Sequence, residues 1–268
     1  MVGFSGGNKY FFPGASGPEL IDASHWLGAL ITASEMIGSP GITPVRRLID
    51  RAASLIPTER HCISLVVRTG DAGLHGLYLG SCEDAWAAAA ELSADVHITT
   101  VERPYDTVVS VVPSMYEDLW TAGKGVYKLE PVVADGGELI VLAPHVRSFS
   151  VTHGEAIARA GYHCRDYFLG QPERFAGSPL GVLAHCTHVR GRGTYDAASG
   201  IERCRITVTL ASGIPRAECE RAGLAWRDPA TIDPAAWAAR DGTLVVPRAG
   251  EILHRLRGAA SRSDETEL

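Results

Sequence analysis

The sequence predicts an α/β protein whose second half is built on a parallel sheet. Two observations carry that reading. Short runs rich in Val, Ile and Leu alternate along the chain with amphipathic or Ala-rich runs of helical length, as strands and helices do when they take turns. Within that alternation, the strand-like "DTVVSVV" (106–112) and "ELIVLAP" (138–144) flank a helical stretch. Such a βαβ unit requires parallel strands and a right-handed crossover. A third observation concerns the start, where a glycine-rich loop, "MVGFSGGNKYFFPGASGPEL", comes ahead of any strand or helix. The 268 residues leave room for one large domain or two modest ones. The boundary is placed near residue 100, dividing 1–100 from 101–268, although no Pro/Gly/Ser-rich linker marks it.

The elements follow in order. "SGPELIDASHWLGALITASEMIG" (16–38) reads as a helix, with Ser16 and Glu19 at capping-box spacing and Pro18 in the first turn. Leu20, Leu27, Ile31, Ser34 and Ile37 recur on one stripe, which is expected to pack. His25 falls roughly 140° from Leu20 at about 100° per residue, away from that stripe. "TPVRRLIDRAASLI" is a second helix, capped by Thr43 with Pro44 at its first position and ended by Pro57. "CISLVVR" is a strand, "GDAGLHG" a turn, and "LYLG" a short strand. "CEDAWAAAAELSA" is an Ala-rich helix with Glu83 and Asp84 at its positive end, and "VHITTVE" a strand.

After Pro104, "DTVVSVV" is a strand and "YEDLWTAGKGVYKLEPVVA" a helix closed by "DGG", leading to the strand "ELIVLAP". Helical "GEAIARAGYHCRDYFL", strand "RITVTLA", helical "PRAECERAG" and "DPAAWAAR", strand "TLVVP" and helical "GEILHRLR" complete the chain. The final "GAASRSDETEL" is polar and expected to fray.

Composition excludes some classes. Apolar residues make up 46% and charged residues 21%, as in ordinary globular proteins. A net charge of −6 speaks against nucleic acid or an anionic membrane as the main partner, since either needs a basic face. The six cysteines contain no CxxC pair, so a zinc ribbon or thioredoxin-type site is not expected, and buried thiols in a reducing compartment are. Met1 is followed by glycines and aromatics rather than a basic region and an apolar core, and a cytoplasmic location is the expectation. The apolar-rich stretch from Leu20 to Ile37 holds Asp22, His25 and Glu35 and reads as an amphipathic helix, not a membrane span.

Four constellations carry chemistry. In "SGGNK", Gly6 and Gly7 allow backbone N–H groups close to a ligand, and the helix that follows offers a positive end for a phosphate. Asn8 and Tyr10 around Lys9 exclude a Walker A motif. The bland alternative is a glycine turn with a solvated lysine. "GFSGG" matches the nucleophile-elbow pattern around Ser5, but that elbow needs a strand before it and a helix directly after. His25, sixteen residues after Lys9, is a surface residue or a metal ligand. "HCTH" places His185 and His188 where a helix would put both on one face for a metal. A polar loop with a substrate role is the preferred reading there. Lys124 follows Trp120 and Thr121 at helical spacing and could hold a carboxylate or phosphate; a solvated helix charge is the alternative.

Taken together, these segments resemble the nickel-dependent lactate racemase family. "GGNKYFFPGASGPELIDASH" is similar to that family's loop and helix, with Lys9 and His25 at matching positions. "TPVRRLID", "LHGLYLGSCEDAWAAAAELS", "DTVVSVVPSMYEDLWTAGKG" and "VVADGGELIVLAP" are similar to segments that follow. The resemblance runs from about residue 2 to 147 and more loosely beyond. It implies a nickel-pincer mononucleotide tethered through a thioamide at Lys9, with Gly6 and Gly7 beside it and His25 as a nickel ligand. A square-planar site of soft ligands suits nickel. It also implies interconversion of 2-hydroxy acid stereoisomers by hydride transfer, with Lys124 helping to bind the substrate carboxylate. The family usually has Gln where this chain has Thr121, and a Thr cannot donate as an amide does. His185 and His188 are candidates for substrate contacts.

The resemblance also implies a departure. The family's two catalytic His bases and a substrate-binding Arg fall ahead of Met1, so no catalytic residue is expected within the chain. Residues 1–100 then read as the remnant of an N-terminal α/β cofactor-binding domain, and 101–268 as the C-terminal α/β domain. The expectation is an enzyme fragment inactive alone, completed by a missing N-terminal domain or partner chain, with a small 2-hydroxy acid as substrate. A remnant sheet would leave an unpaired edge and an exposed apolar face. The alternatives are a non-catalytic cofactor-binding or assembly subunit, and a hydrolase using Ser5.

Overall fold

The computed structural model describes residues 4–31, 41–68 and 73–258. The expected end of the first helix (32–38), the start of the turn at 70–72 and the tail at 259–268 lie outside the described residues. The chain divides into two compact units, which among these residues run to Thr99 and from Thr100 to Gly258. No helix among the described residues is long and apolar enough to cross a membrane.

The first unit opens with a 3-10 turn at Gly7–Tyr10, followed by α1 (Pro18–Ile31) and α2 (Pro44–Ala53). Thr43 caps α2 by accepting from the Arg46 N–H at 3.2 Å. The antiparallel pair β1 (His61–Arg68) and β2 (Gly73–Ser81) leads into α3 (Cys82–His97), which Ser81 caps. Helix α3 runs three residues past the expected end, taking Val96 and His97 from the strand "VHITTVE"; β3 is only Ile98–Val101. The expected packing of the α1 stripe does not occur: Leu20, Leu27 and Ile31 are exposed, and the helix buries Gly28 and Ala29 instead. Periodicity identified an apolar face there, but nothing among the described residues covers it.

The hairpin β1–β2 has two unlike faces. Val66 is buried on one, where α3 packs. On the other, Ile63 pairs with Leu79, Leu65 with Leu77 and Val67 with Leu74, and all six side chains are exposed.

The second unit is the expected parallel α/β layer. Its sheet orders β10 (Thr243–Val246), β4 (Tyr105–Val111), β5 (Val133–Ala143), β8 (Thr207–Ser212) and β9 (Ala225–Trp226), every neighbour parallel. Val108, Val109, Leu139, Ile140, Val141, Val208 and Leu210 are wholly buried in it, as strands covered on both faces require. Between β4 and β5 lie α4 (Leu119–Ala122), α5 (Lys124–Tyr127) and a 3-10 turn at Glu130–Val132 in place of the single helix expected. After β5 come α6 (Gly154–Ala160), α7 (Arg165–Leu169), α8 (Pro172–Phe175) and α9 (Leu180–Arg190), then the hairpin β6 (Gly193–Asp196)–β7 (Ile201–Cys204). Helices α10 (Arg216–Arg221) and α11 (Pro234–Ala238) flank β9, and β11 (Leu253–Leu256) ends the described chain.

Three expectations change here. "DGG" lies inside β5, where it forms a bulge: β5 advances from Val133 to Glu138 while β4 advances from Tyr105 to Thr107. "GEILHRLR" is a strand and not a helix. His254 N–H donates to Lys128 O at 3.0 Å and Arg257 N–H to Val101 O at 2.8 Å, so neighbouring backbone satisfies this segment from outside. "HCTH" is helical, within α9, and not a loop.

Candidate functional site

In the first unit a buried polar network fixes the loop that carries Lys9. Asn8, 1% exposed, donates Nδ2 to Asp50 Oδ1 at 3.1 Å and to Glu83 Oε1 at 2.6 Å, and its Oδ1 accepts from Arg60 Nε at 3.3 Å. Arg46 spreads its guanidinium 3.7 Å above the Trp86 ring and gives both Nη1 and Nη2 to the Gly6 carbonyl, each at 3.0 Å. That stack combines cation–π attraction with a fork of hydrogen bonds. Gly7 has φ +57°, and a Cβ there would lie 2.8 Å from both Cys82 O and Trp86 Cβ. What Gly7 makes room for in this structure is α3. Gly6 (φ +92°) is exposed.

Lys9 sits half-buried in the 3-10 turn, and His25 half-buried on α1. Burial lowers the proton affinity of His25, and the Lys9 charge lowers it further, against the opposing pull of the Ile21 carbonyl and Asp22. His25 Nδ1–H donates to Ile21 O at 2.6 Å, which leaves the lone pair on Nε2. Beside the loop, a cleft of about 570 Å³ runs between it, β1 and α3, with Ser5, Gly6 and Tyr10 on one wall and Leu65 and Trp86 on others. Ser5 is followed directly by the 3-10 turn, not by the helix a nucleophile elbow needs.

The second unit gathers the other candidates. The Trp120 indole contacts two imidazoles, 4.6 Å from the His153 ring and 4.5 Å from the His185 ring. Tyr162 Oη is 3.3 Å from His185 Nε2. His185 is half-buried, and that burial, with His188 nearby, pushes its pKa down to about 3. His188 Nδ1–H donates to Ala184 O at 2.6 Å.

Thr121 is committed locally: its N–H and Oγ1–H both reach Asp118 Oδ1, at 3.0 and 2.8 Å, so Asp118 caps α4. Lys124, exposed, holds Nζ 5.2 Å above the Tyr116 ring. A Cβ on Gly123 would meet Val189 Cγ2 at 3.0 Å and His185 Cε1 at 3.4 Å, and one on Gly125 would meet Ser110 Oγ at 2.5 Å. The two glycines around Lys124 therefore let its segment close onto α9 and β4.

Lys9, His25, Gly6 and Gly7 thus belong to the first unit, and Thr121, Lys124, His185 and His188 to the second. Sequence reasoning missed His153, Asp118 and Arg46. Their partners lie 33, 3 and 40 residues away in the contacts above, and no local period announces the two long separations. The Asp118–Thr121 capping spacing was the one readable signal. Among the described residues no three His, Cys, Asp or Glu side chains group as a metal held by side chains alone would require.

No protein-family model matches the chain, and no curated protein matches it. Among solved structures, the crystal structure of a Thermotoga maritima protein superposes with a TM-score of 0.87 at 32% identity, covering 96% of this chain and 64% of that one. The lactate racemase apoprotein from Thermoanaerobacterium thermosaccharolyticum superposes with a TM-score of 0.72 at 16% identity, covering 95% of this chain and 60% of that one. The chain spans less than two thirds of either protein. The helices, the five-stranded parallel sheet and these superpositions make this a lactate racemase-like α/β fold.

Proposed function

We propose that this chain is the cofactor-holding and C-terminal part of a 2-hydroxy acid racemase or epimerase that uses a nickel-pincer nucleotide, and that it does not turn over alone. The observation that carries the reading is His25 itself, half-buried on α1 in the same unit as Lys9, with burial lowering its proton affinity and its Nδ1–H fixed on the Ile21 carbonyl at 2.6 Å. The residues fit such a group. His25 is kept neutral by burial, and its Nδ1–H is fixed by a backbone carbonyl, the second contact by which metal-binding histidines are oriented. Lys9 would tether the nucleotide and His25 would ligate nickel. When bound, the group supplies a soft-ligand metal and a ring able to take up hydride.

This chain's own residues bind and position. The Arg46–Gly6 fork fixes the loop. Lys124 offers a cation for a carboxylate, and the half-buried His185, neutral near pH 7, presents an uncharged wall. The six exposed aliphatics on the hairpin support the accompanying reading that a further polypeptide layer, on the same chain or a partner, completes the first unit and brings the bases.

The test is intact mass and elemental nickel after co-expression with enzymes that make the cofactor. The expected result is an adduct mapping to Lys9, abolished by Lys9→Ala, with lactate racemisation only when a racemase N-terminal segment is added. A folded sample with unmodified Lys9 overturns the reading. A second reading, a non-catalytic cofactor-binding subunit, is favoured by the commitment of Thr121 to Asp118, and an adduct without turnover in the complemented sample would select it.

A further inference from the structure

Two cysteines outside the residues discussed so far lie together, and a guanidinium sits on one of them. Cys164 directly precedes α7 and is fully buried; Cys204 ends β7 and is half-buried. Gly193, paired with Cys204 in the β6–β7 hairpin, brings them together: a Cβ added there would lie 3.0 Å from Cys164 Cβ and 3.1 Å from Cys204 Cα. Both cysteines therefore crowd the same point of the hairpin. Arg190, the last residue of α9, donates Nε to the same sulfur at 3.0 Å and Nη1 to the Gly223 carbonyl at 2.9 Å.

Interaction with the neighbouring Cys164 and with the Arg190 guanidinium holds the Cys204 thiol below the usual range, while interaction with Cys204 and burial push Cys164 up. The nearby carboxylate opposes this only in part. Glu202 accepts from Cys164 N at 2.6 Å, from His163 Nδ1 at 2.8 Å and from the Cys204 thiol at 3.6 Å. A second thiol pair offers an internal contrast. Cys62 and Cys82 also lie near each other, but the Cys62 sulfur touches neutral oxygens, Ser64 Oγ at 3.6 Å and Ser81 O at 4.0 Å. Burial pushes Cys82 up to about 11.

We propose that Cys204 and Cys164 are a peroxide-responsive thiol pair, with Cys204 the attacking sulfur and Cys164 the resolving one. The Cys204 thiolate attacks one oxygen of hydrogen peroxide and the O–O bond breaks. The departing hydroxide takes a proton and leaves as water, and Cys204 becomes a sulfenic acid. The Cys164 sulfur then displaces the sulfenic hydroxyl, which leaves as a second water with the Cys164 proton. Two thiols have lost two protons and two electrons, and one peroxide has become two waters. The new bond closes a loop containing α9, and with it His185 and His188.

The test uses the full chain, hydrogen peroxide near stoichiometry, dimedone as the sulfenic acid trap, and peptide mapping. The wild type is expected to give a Cys164–Cys204 disulfide. Cys164→Ser is expected to give a dimedone adduct at Cys204, and Cys204→Ser to leave Cys164 reduced. Arg190→Gln should slow the reaction of Cys204 about tenfold. Near-UV circular dichroism checks that each variant is folded. The proposal is overturned if Cys204 in the Cys164→Ser protein is trapped no faster than Cys62, a comparison that does not depend on the arginine variant folding.

Discussion

The two units use the same side chains and treat them oppositely. In the second, Val108, Leu139, Ile140 and Val208 on neighbouring parallel strands are wholly buried. In the first, Leu65 and Leu77 face each other across β1 and β2 at 57% and 58% exposure, and Ile63 and Leu79 at 63% and 72%. The difference is one of layers, not of composition. A sheet apolar on both faces needs cover on both, and α3 supplies only one. The first unit's hairpin therefore carries apolar area that is still unburied, whereas the central strands of the second unit's sheet have buried theirs.

The largest expected effect tests that contrast with one chemical change in two places. Leu139→Ala removes a wholly buried side chain from β5 and should cost about 3–4 kcal/mol in urea unfolding. Leu77→Ala removes an equal volume from the exposed hairpin face and should cost less than about 0.5 kcal/mol. Comparable losses at the two sites would mean that the hairpin face is buried in solution, and the contrast would fail.

A smaller effect sharpens the comparison through pH. His185 in the second unit has its pKa pushed down to about 3 by burial, against an unfolded value of 6.5. Between those values the unfolded chain binds the proton that the folded chain refuses. The stability is therefore fully present above pH 6.5 and is lost as the pH falls toward 3. Allowing for the part of His185 that remains open to solvent, the loss by pH 4 should be on the order of 2 kcal/mol. His185→Gln should flatten the stability profile in that window. His25 shifts in the same direction in the less enclosed first unit, so His25→Gln should flatten it less. The reverse ranking would contradict the difference in enclosure.

The sheet of the second unit was legible because wholly buried strands are continuous apolar runs, and "DTVVSVV" and "ELIVLAP" are such runs. Short elements were not legible: "GEILHRLR" has helical composition, yet four of its residues form β11 because the carbonyls of Lys128 and Val101 receive its amides. The α1 stripe shows a different limit, since periodicity says which face is apolar and not whether anything lies against it. At the candidate site, the helix carrying His25 and its pairing with Lys9 were readable, but the fork from Arg46 to the Gly6 carbonyl was not. Neither was the network of Asn8, Asp50, Glu83 and Arg60, whose members are up to 75 residues apart. The strongest local signal, the glycine pair, proved ambiguous for a physical reason: Gly7 admits α3 in the same way that a loop glycine admits a ligand.

The smallest expected change in stability comes from rewriting the uncovered face itself. Leu65→Glu with Leu77→Lys places opposite charges at directly paired positions, so the hairpin keeps a favourable cross-strand contact. Both positions are more than half exposed, so little burial is lost, and the urea midpoint should move by less than about 0.5 kcal/mol. Binding of a hydrophobic dye such as ANS, which reports exposed apolar surface, should fall clearly in the same variant. Charge reversal to Leu65→Lys with Leu77→Glu should act alike, because the pairing is symmetric in sign. Dye binding that stays at the wild-type level while the protein remains folded would place the exposed apolar surface elsewhere, and α1, with Leu20, Leu27 and Ile31 outward, would be the next face to charge.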